Sequence, residues 1–399
     1  MKIDRVEAFA IRAKPIDKKG YWGARAWGSA AETRHLSAEY PPKQRRTFIY
    51  SDRIETVIVR ITTDGGIVGW GEAKAPVAAT STKMIVDTLL TPVLIGADPR
   101  DITLLWERMY AGMRVRGHQA GFYLEAISGI DIALWDIAGK AAGQPIYQLL
   151  GGAFRNPVRV YASGLPTLAG NAPDEAYDEL VRDAHELKAR GFSAIKLALG
   201  RDIVGDIRSA RVLREALGAD FDLFADAAGS YDAAQAIRIG KALEELDFGF
   251  FEMPIPPEDK QGYARIAAHL SIPIALDSLM TRFETLDFLR RDALQLVQPD
   301  ACRAGGITEC RRIAELADSF GVAFAPHVSI GSMISFTASA HLAAAMPNTM
   351  TCEYWIGENP LGASILKTPL DLREGRLRAP NGPGLGIDIL EDELLKEVV

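Results

Sequence analysis

Cysteine is scarce in this chain: only Cys302, Cys310 and Cys352 occur, and no C-x-x-C spacing joins them. That excludes a disulfide framework and gives a zinc–thiolate site no support, so three buried thiols are expected. Basic runs are missing too, the longest being pairs such as Arg45-Arg46 and Arg311-Arg312. With 45 Lys+Arg against 52 Asp+Glu the formal charge is −7, which argues against a nucleic-acid binder. No apolar run approaches membrane-spanning length, and the first ten residues carry acids where a signal peptide has an unbroken apolar core. The expectation is a cytoplasmic protein with no nucleic-acid and no membrane partner. What the chain does have is size: 399 residues, 48 % apolar, enough for one large barrel and a smaller companion.

Residues 1–13 alternate as a strand does, and residues 55–72 read as a β-hairpin turning at Asp64-Gly65-Gly66. Between them, residues 17–47 form a stretch too long for an ordinary connection, with Tyr21, Trp22, Trp27 and Tyr40 along it. Its aromatic content predicts a lid, with Trp22, Arg25, Trp27, His35 and Arg45 as candidate substrate contacts. From about Ser81 to Leu150 the apolar spacing becomes helical and stops at Gly151-Gly152, so residues 1–152 are read as an α+β domain.

Beyond Gly152, short apolar runs alternate with amphipathic helices. The runs cover residues 158–161, 194–197, 221–225, 248–251, 272–276, 294–297, 322–325 and 350–352. Strand alternating with helix implies parallel pairing, and eight such units close a barrel. The fold class is therefore α/β, a TIM-like barrel over residues 153–370. The turn-rich residues 371–399 are expected to return to the first domain.

A barrel of this type builds its active site at the C-terminal ends of its strands. One chargeable residue recurs there on seven successive strands: Lys196, Asp226, Glu252, Asp277, Asp300, His327 and Glu353. A single carboxylate after a strand is commonly a helix N-cap or part of a turn. Seven in register are not, because convergent charges are costly to gather unless a cation or a substrate neutralises them. Asp226, Glu252 and Asp277 offer only hard oxygen donors, which suits Mg²⁺ and is compatible with Ca²⁺ or Mn²⁺. Asp300 and His327 come from neighbouring strands, and a carboxylate beside an imidazole makes a general base and, once protonated, a general acid.

The sequence resembles the enolase superfamily, in particular its mandelate racemase and muconate lactonizing enzyme group. The likeness is carried by Gly66-Ile-Val-Gly-Trp-Gly-Glu72, Ala126-Ile-Ser-Gly-Ile-Asp-Ile-Ala-Leu-Trp-Asp-Ile-Ala-Gly-Lys140, Gly143-Gln-Pro-Ile-Tyr-Gln-Leu-Leu-Gly-Gly152 and Gln298-Pro-Asp-Ala-Cys-Arg-Ala-Gly-Gly-Ile307. It implies an α+β N-terminal capping domain over a (β/α)7β barrel. It also implies one Mg²⁺ per subunit on carboxylates matching Asp226, Glu252 and Asp277, a dyad matching His327 and Asp300, and a carboxylate-contacting acid matching Glu353. A homo-oligomer is implied as well. The chain departs from the family pattern at three places, with Lys196-Leu-Ala198 for Lys-x-Lys, Asp226-Ala-Ala228 for Asp-x-Asn or Asp-x-His, and Glu252-Met253-Pro254 for Glu-Glu-Pro.

Removing a proton α to a carboxylate creates a dianionic enediolate, and a metal makes that charge tolerable. On this reading His327 removes the proton while Lys196 and Glu353 flank the substrate carboxylate, Glu353 as a hydrogen-bond donor if its neighbours keep it protonated. Racemisation needs an acid and a base on opposite faces, and Ala198 leaves one face without either. Dehydration of a sugar acid needs only one equipped face and is the leading expectation. Opening or closing a sugar lactone or anhydro ring is the alternative, and a degenerate protein that binds metal and acid sugar without turnover is the alternative of another class.

Overall fold

The computed structural model describes residues 1–14, 53–357 and 359–399. The candidate lid, with Trp22, Arg25, Trp27, His35 and Arg45, lies outside the described residues.

Strands β1 (Ile3–Ala13), β2 (Ile54–Thr63) and β3 (Val68–Ala73) form an antiparallel sheet in that order. The helix Phe122–Ala142 packs across it and ends at Gly143 in the left-handed conformation. Packing is so close that a Cβ at Gly71 would sit 1.9 Å from the Gly129 carbonyl oxygen, so side chains at these positions would push strand and helix apart. Two aspartates of this helix tie it to other layers. Asp136 accepts the backbone N–H of Trp70 (2.9 Å) and of Leu385 (2.8 Å). Asp131 accepts the backbone N–H and the hydroxyl of Thr308, in the barrel helix Gly306–Ser319 (2.9 and 2.6 Å).

The barrel strands are β4 (Val158–Pro166), β5 (Ala194–Ala198), β6 (Asp222–Asp226), β7 (Phe251–Glu252), β8 (Ile274–Leu276), β9 (Leu296–Val297), β10 (Ala323–Phe324) and β11 (Cys352–Trp355). β4 to β10 pair in chain order, all in parallel, and β11 pairs β4. A bridge between Phe324 and Thr349 closes the ring. A helix follows each of the first seven strands, so this is the expected (β/α)7β barrel under an α+β cap. β7, β9 and β10 are shorter than their apolar runs. Phe248, for instance, belongs to a helix end, its N–H donating to the Leu243 carbonyl, before the strand begins.

The C-terminal residues touch both parts. β12 (Leu372–Arg373) and β13 (Arg376–Leu377) form a hairpin that adds antiparallel to the start of β4, and the Val399 N–H donates to the Ala10 carbonyl of β1 (3.0 Å). No described helix is long and apolar enough to cross a membrane.

Candidate active site

The site is a layer of polar side chains resting on an apolar plug. Tyr161, Ala194, Phe224, Phe250, Ala275, Leu296 and Ala325 pack together inside the barrel, with the Phe224 and Phe250 rings stacked at 4.2 Å. Because alternate residues of a strand share a face, the residue two positions on from each points into the same channel one step nearer the mouth. Those residues are Ser163, Lys196, Asp226, Glu252, Asp277, Gln298 and His327, and every one is buried.

Five of the seven predicted strand-end groups therefore stand in this layer. On the sixth strand its member is Gln298, whose amide donates to Glu252 Oε2 (2.9 Å), and Asp300 lies one step beyond. From there Asp300 bridges to His327 by a parallel β-pairing, and Asp300 Oδ2 lies 2.9 Å from His327 Nδ1. Burial alone would raise the Asp300 pKa, but the Lys74 ammonium and His327 outweigh it and hold the group at about 2. An ionised carboxylate only accepts, so Nδ1 carries the proton and Nε2 is the basic position. Nε2 faces Asp277 Oδ2 (3.6 Å) and Glu353 Oε2 (3.5 Å).

Across the channel, the Lys196 ammonium lies 2.8 Å from Glu252 Oε2, 3.0 Å from Glu353 Oε1 and 3.4 Å from Asp226 Oδ2. Burial disfavours its charge, but Glu252, Glu353, Tyr161 and Asp226 more than compensate and keep it protonated well above the usual lysine range. Glu353 also accepts the backbone N–H groups of Val328 (2.8 Å) and Ser329 (3.0 Å). Burial would push its carboxyl up, yet Lys196, His327 and those donors hold it well below the usual carboxylate range. Glu353 is thus an anionic acceptor here, and the conditional expectation of a protonated donor does not hold. Lys196→Met should destabilise the fold by about 3–5 kcal/mol, because it leaves buried carboxylates without their cation. Denaturant melts of the variant check this.

The carboxylates meet in part as expected. Metal-capable atoms of Glu252, Asp277 and His327 lie within 4.8 Å of one another. Asp226 stands beside Glu252 in strand register but falls outside that group, one oxygen accepting the Ala228 N–H (2.8 Å) and the other facing Lys196. The residues fit a hard divalent cation on two observations. Glu252 Oε1 and Asp277 Oδ1 are buried with no hydrogen-bond partner among the described residues. Burial, with Asp226 and Asp277 beside it, also drives the Glu252 pKa well above normal, and a cation would relieve that cost.

Ala228 and Met253, just past the ends of β6 and β7, and Ser329, two residues beyond His327, hold positive φ of 46°, 38° and 49°, backbone strain beside the site. Ala198 and Ala228 stand two positions beyond Lys196 and Asp226 in the chain, and both are buried.

Glu72 of β3 and Lys74 just after it reach this region from the cap without having been anticipated. Glu72 is fully buried and accepts from Ser332 and Ser335 at the N-terminus of the helix Met333–Ala345. Lys74 donates to Asp300 Oδ2 (2.8 Å) and to the Val328 carbonyl.

A closed barrel whose strand ends converge ionisable groups under a cap is the build of a barrel enzyme. The chain belongs to the enolase superfamily, in its mandelate racemase and muconate lactonizing enzyme group. Residues 179–393 match the enolase C-terminal domain-like family, and residues 41–151 match the mandelate racemase / muconate lactonizing enzyme N-terminal domain. It is 37 % identical over 352 residues to a D-galactarolactone cycloisomerase of Agrobacterium fabrum, covering 86 % of this chain and 91 % of that one. It is 35 % identical over 339 residues to an arabinonate dehydratase of Saccharolobus solfataricus, covering 84 % and 88 %. The crystal structure of the 3,6-anhydro-D-galactonate cycloisomerase from Zobellia galactanivorans superposes with a TM-score of 0.84 over all of both chains, at 31 % identity.

Proposed function

We propose that this protein is a magnesium-dependent acid-sugar dehydratase. The observation that carries the reading is the buried His327–Asp300 pair, set three and four strands around the ring from β5 and β6, whose positions beyond Lys196 and Asp226 hold only the methyl side chains of Ala198 and Ala228. Asp226, Glu252 and Asp277 would hold one Mg²⁺ per subunit. When bound, the ion supplies positive charge against which charge developing on the substrate carboxylate becomes tolerable. The Lys196 ammonium adds a second, fixed positive charge beside that carboxylate, and Glu353 orients Lys196 and the His327 imidazole.

His327 Nε2 takes the α-proton as the α-carbon–hydrogen bond breaks, and Asp300 stabilises the imidazolium that forms. The electron pair expels the β-hydroxyl, which collects the proton from His327 on the same face and leaves as water. The enol left behind tautomerises to a 2-keto-3-deoxy acid. Lys196 is read as a fixed positive charge and not as the base, because carboxylate oxygens of Glu252, Glu353 and Asp226 lie 2.8, 3.0 and 3.4 Å from its ammonium.

The relatives favour one alternative, cycloisomerisation of a sugar lactone or anhydro-sugar acid, in which the ring oxygen is the group broken or formed. The same reading takes the chain as a cytoplasmic homo-oligomer. A library of aldonates, aldarates and their lactones, assayed with Mg²⁺, separates the outcomes. A 2-keto-3-deoxy product is expected. Conversion without change of mass and without a keto product establishes the cycloisomerase instead, and saturable binding with no conversion overturns the enzyme reading.

A further inference from the structure

Lys74 is the first residue after β3, yet its contacts belong to the barrel. Its backbone N–H donates to the Cys302 carbonyl (3.0 Å), and the Cys302 N–H in turn donates to Asp300 Oδ1 (2.8 Å). Its ammonium, buried at 3 % exposure, reaches Asp300 Oδ2 at 2.8 Å and the Val328 carbonyl, the group next in chain to His327. One side chain of the cap therefore joins the two strand-end loops that carry the proposed dyad. A lysine is an expensive group to bury for packing, since its charge must be matched on every side, whereas an apolar residue would fill the same space more cheaply.

Asp300 has two oxygens and receives three donors: Cys302 N–H on Oδ1, and Lys74 and His327 Nδ1 both on Oδ2. Cys302 holds Oδ1, while Oδ2, the oxygen that His327 Nδ1 meets, is shared with the Lys74 ammonium. The third donor, approaching Oδ2 from the cap, holds that oxygen in place and with it the orientation of the imidazole bonded to it. We propose that Lys74 is a positioning residue for the proton transfer, acting through Asp300 and Val328, so that the base is aimed only when the end of β3 is seated on the barrel. The role rests on the reading of His327 as the base.

The proposal separates from simple structural support by three readouts on magnesium-loaded enzyme, with D-galactarolactone and D-galactonate as probes. Lys74→Met should lower kcat by about 10- to 100-fold and leave KM within about twofold, because Lys74 sits behind the dyad and does not face the channel. In an Asp300→Asn background the same substitution should add little further loss, since its effect passes through that carboxylate. The imidazole Nδ1–H proton signal, assigned by its absence in His327→Asn, should shift or broaden in Lys74→Met. Lys74→Gln, one bond shorter and uncharged but still a donor, replaces Lys74→Met if thermal melting shows the latter unfolded, with losses in the same direction but smaller. Losses that multiply independently in the double variant, or an Nδ1–H signal left in place by both Lys74 variants, overturn the proposal. If the wild-type protein converts neither probe, the dehydratase and cycloisomerase readings fail for those compounds, and the Nδ1–H signal alone decides the role of Lys74.

Discussion

His327→Asn should lower turnover by about 10⁴-fold, the upper end of what one acid–base group contributes, because the same imidazole is asked to take the α-proton and to return it. Asn fills much of the space of His and can still donate toward Asp300, so the loss is one of proton transfer and not of packing. Thermal melting of the variant should stay near that of the wild type, and substrate binding should persist. Asp300→Asn should cost less, about 10²-fold, since it removes the partner that fixes Nδ1–H and leaves Nε2 in place. Near-normal turnover in His327→Asn would move the base elsewhere in the channel and undo the assignment of roles.

Magnesium at about 100 times its Kd should stabilise the fold by about 2.7 kcal/mol, through mass action on the native state. The sign follows from the buried carboxylates. Burial and its neighbours raise the Glu252 pKa well above normal, and burial with Asp277 raises that of Asp226. A raised folded-state pKa means that ionising the group costs stability, so stability falls as pH rises through it. A cation binds the ionised form and releases protons, so its stabilising effect should grow as pH rises above the ordinary carboxylate range. Glu252→Gln and Asp277→Asn should each abolish the magnesium-induced rise in Tm, and EDTA should silence the wild-type enzyme. A rise that survives both substitutions would place the ion at another site.

Much of this site is legible in the sequence because barrel geometry repeats. A side chain two residues past an apolar plug residue must face the same channel, so Lys196, Asp226, Glu252, Asp277 and His327 declare themselves by spacing. Gln298 obeys the same rule, but it is neutral, and a search for ionisable groups passes over it in favour of Asp300, one step farther out. Lys74 and Glu72 have no period to reveal them. Their partners Asp300 and Ser332 lie 226 and 260 residues away in the chain, a proximity that only docking of the cap creates. The direction of the Glu353 charge is likewise decided by three-dimensional neighbours, chiefly Lys196 and then His327, and not by its place on the last strand.

The central claim is that proton transfer happens on one face only, and isotope exchange tests it most directly. Wild-type protein with Mg²⁺ in D₂O, given each C2 epimer of a turned-over acid sugar in turn, should place deuterium at C2 of the recovered, unconverted substrate for one epimer alone, by reversal of the first step, and His327→Asn should place none. Exchange from both epimers would show a working acid–base group on the Ala198 side and contradict the account.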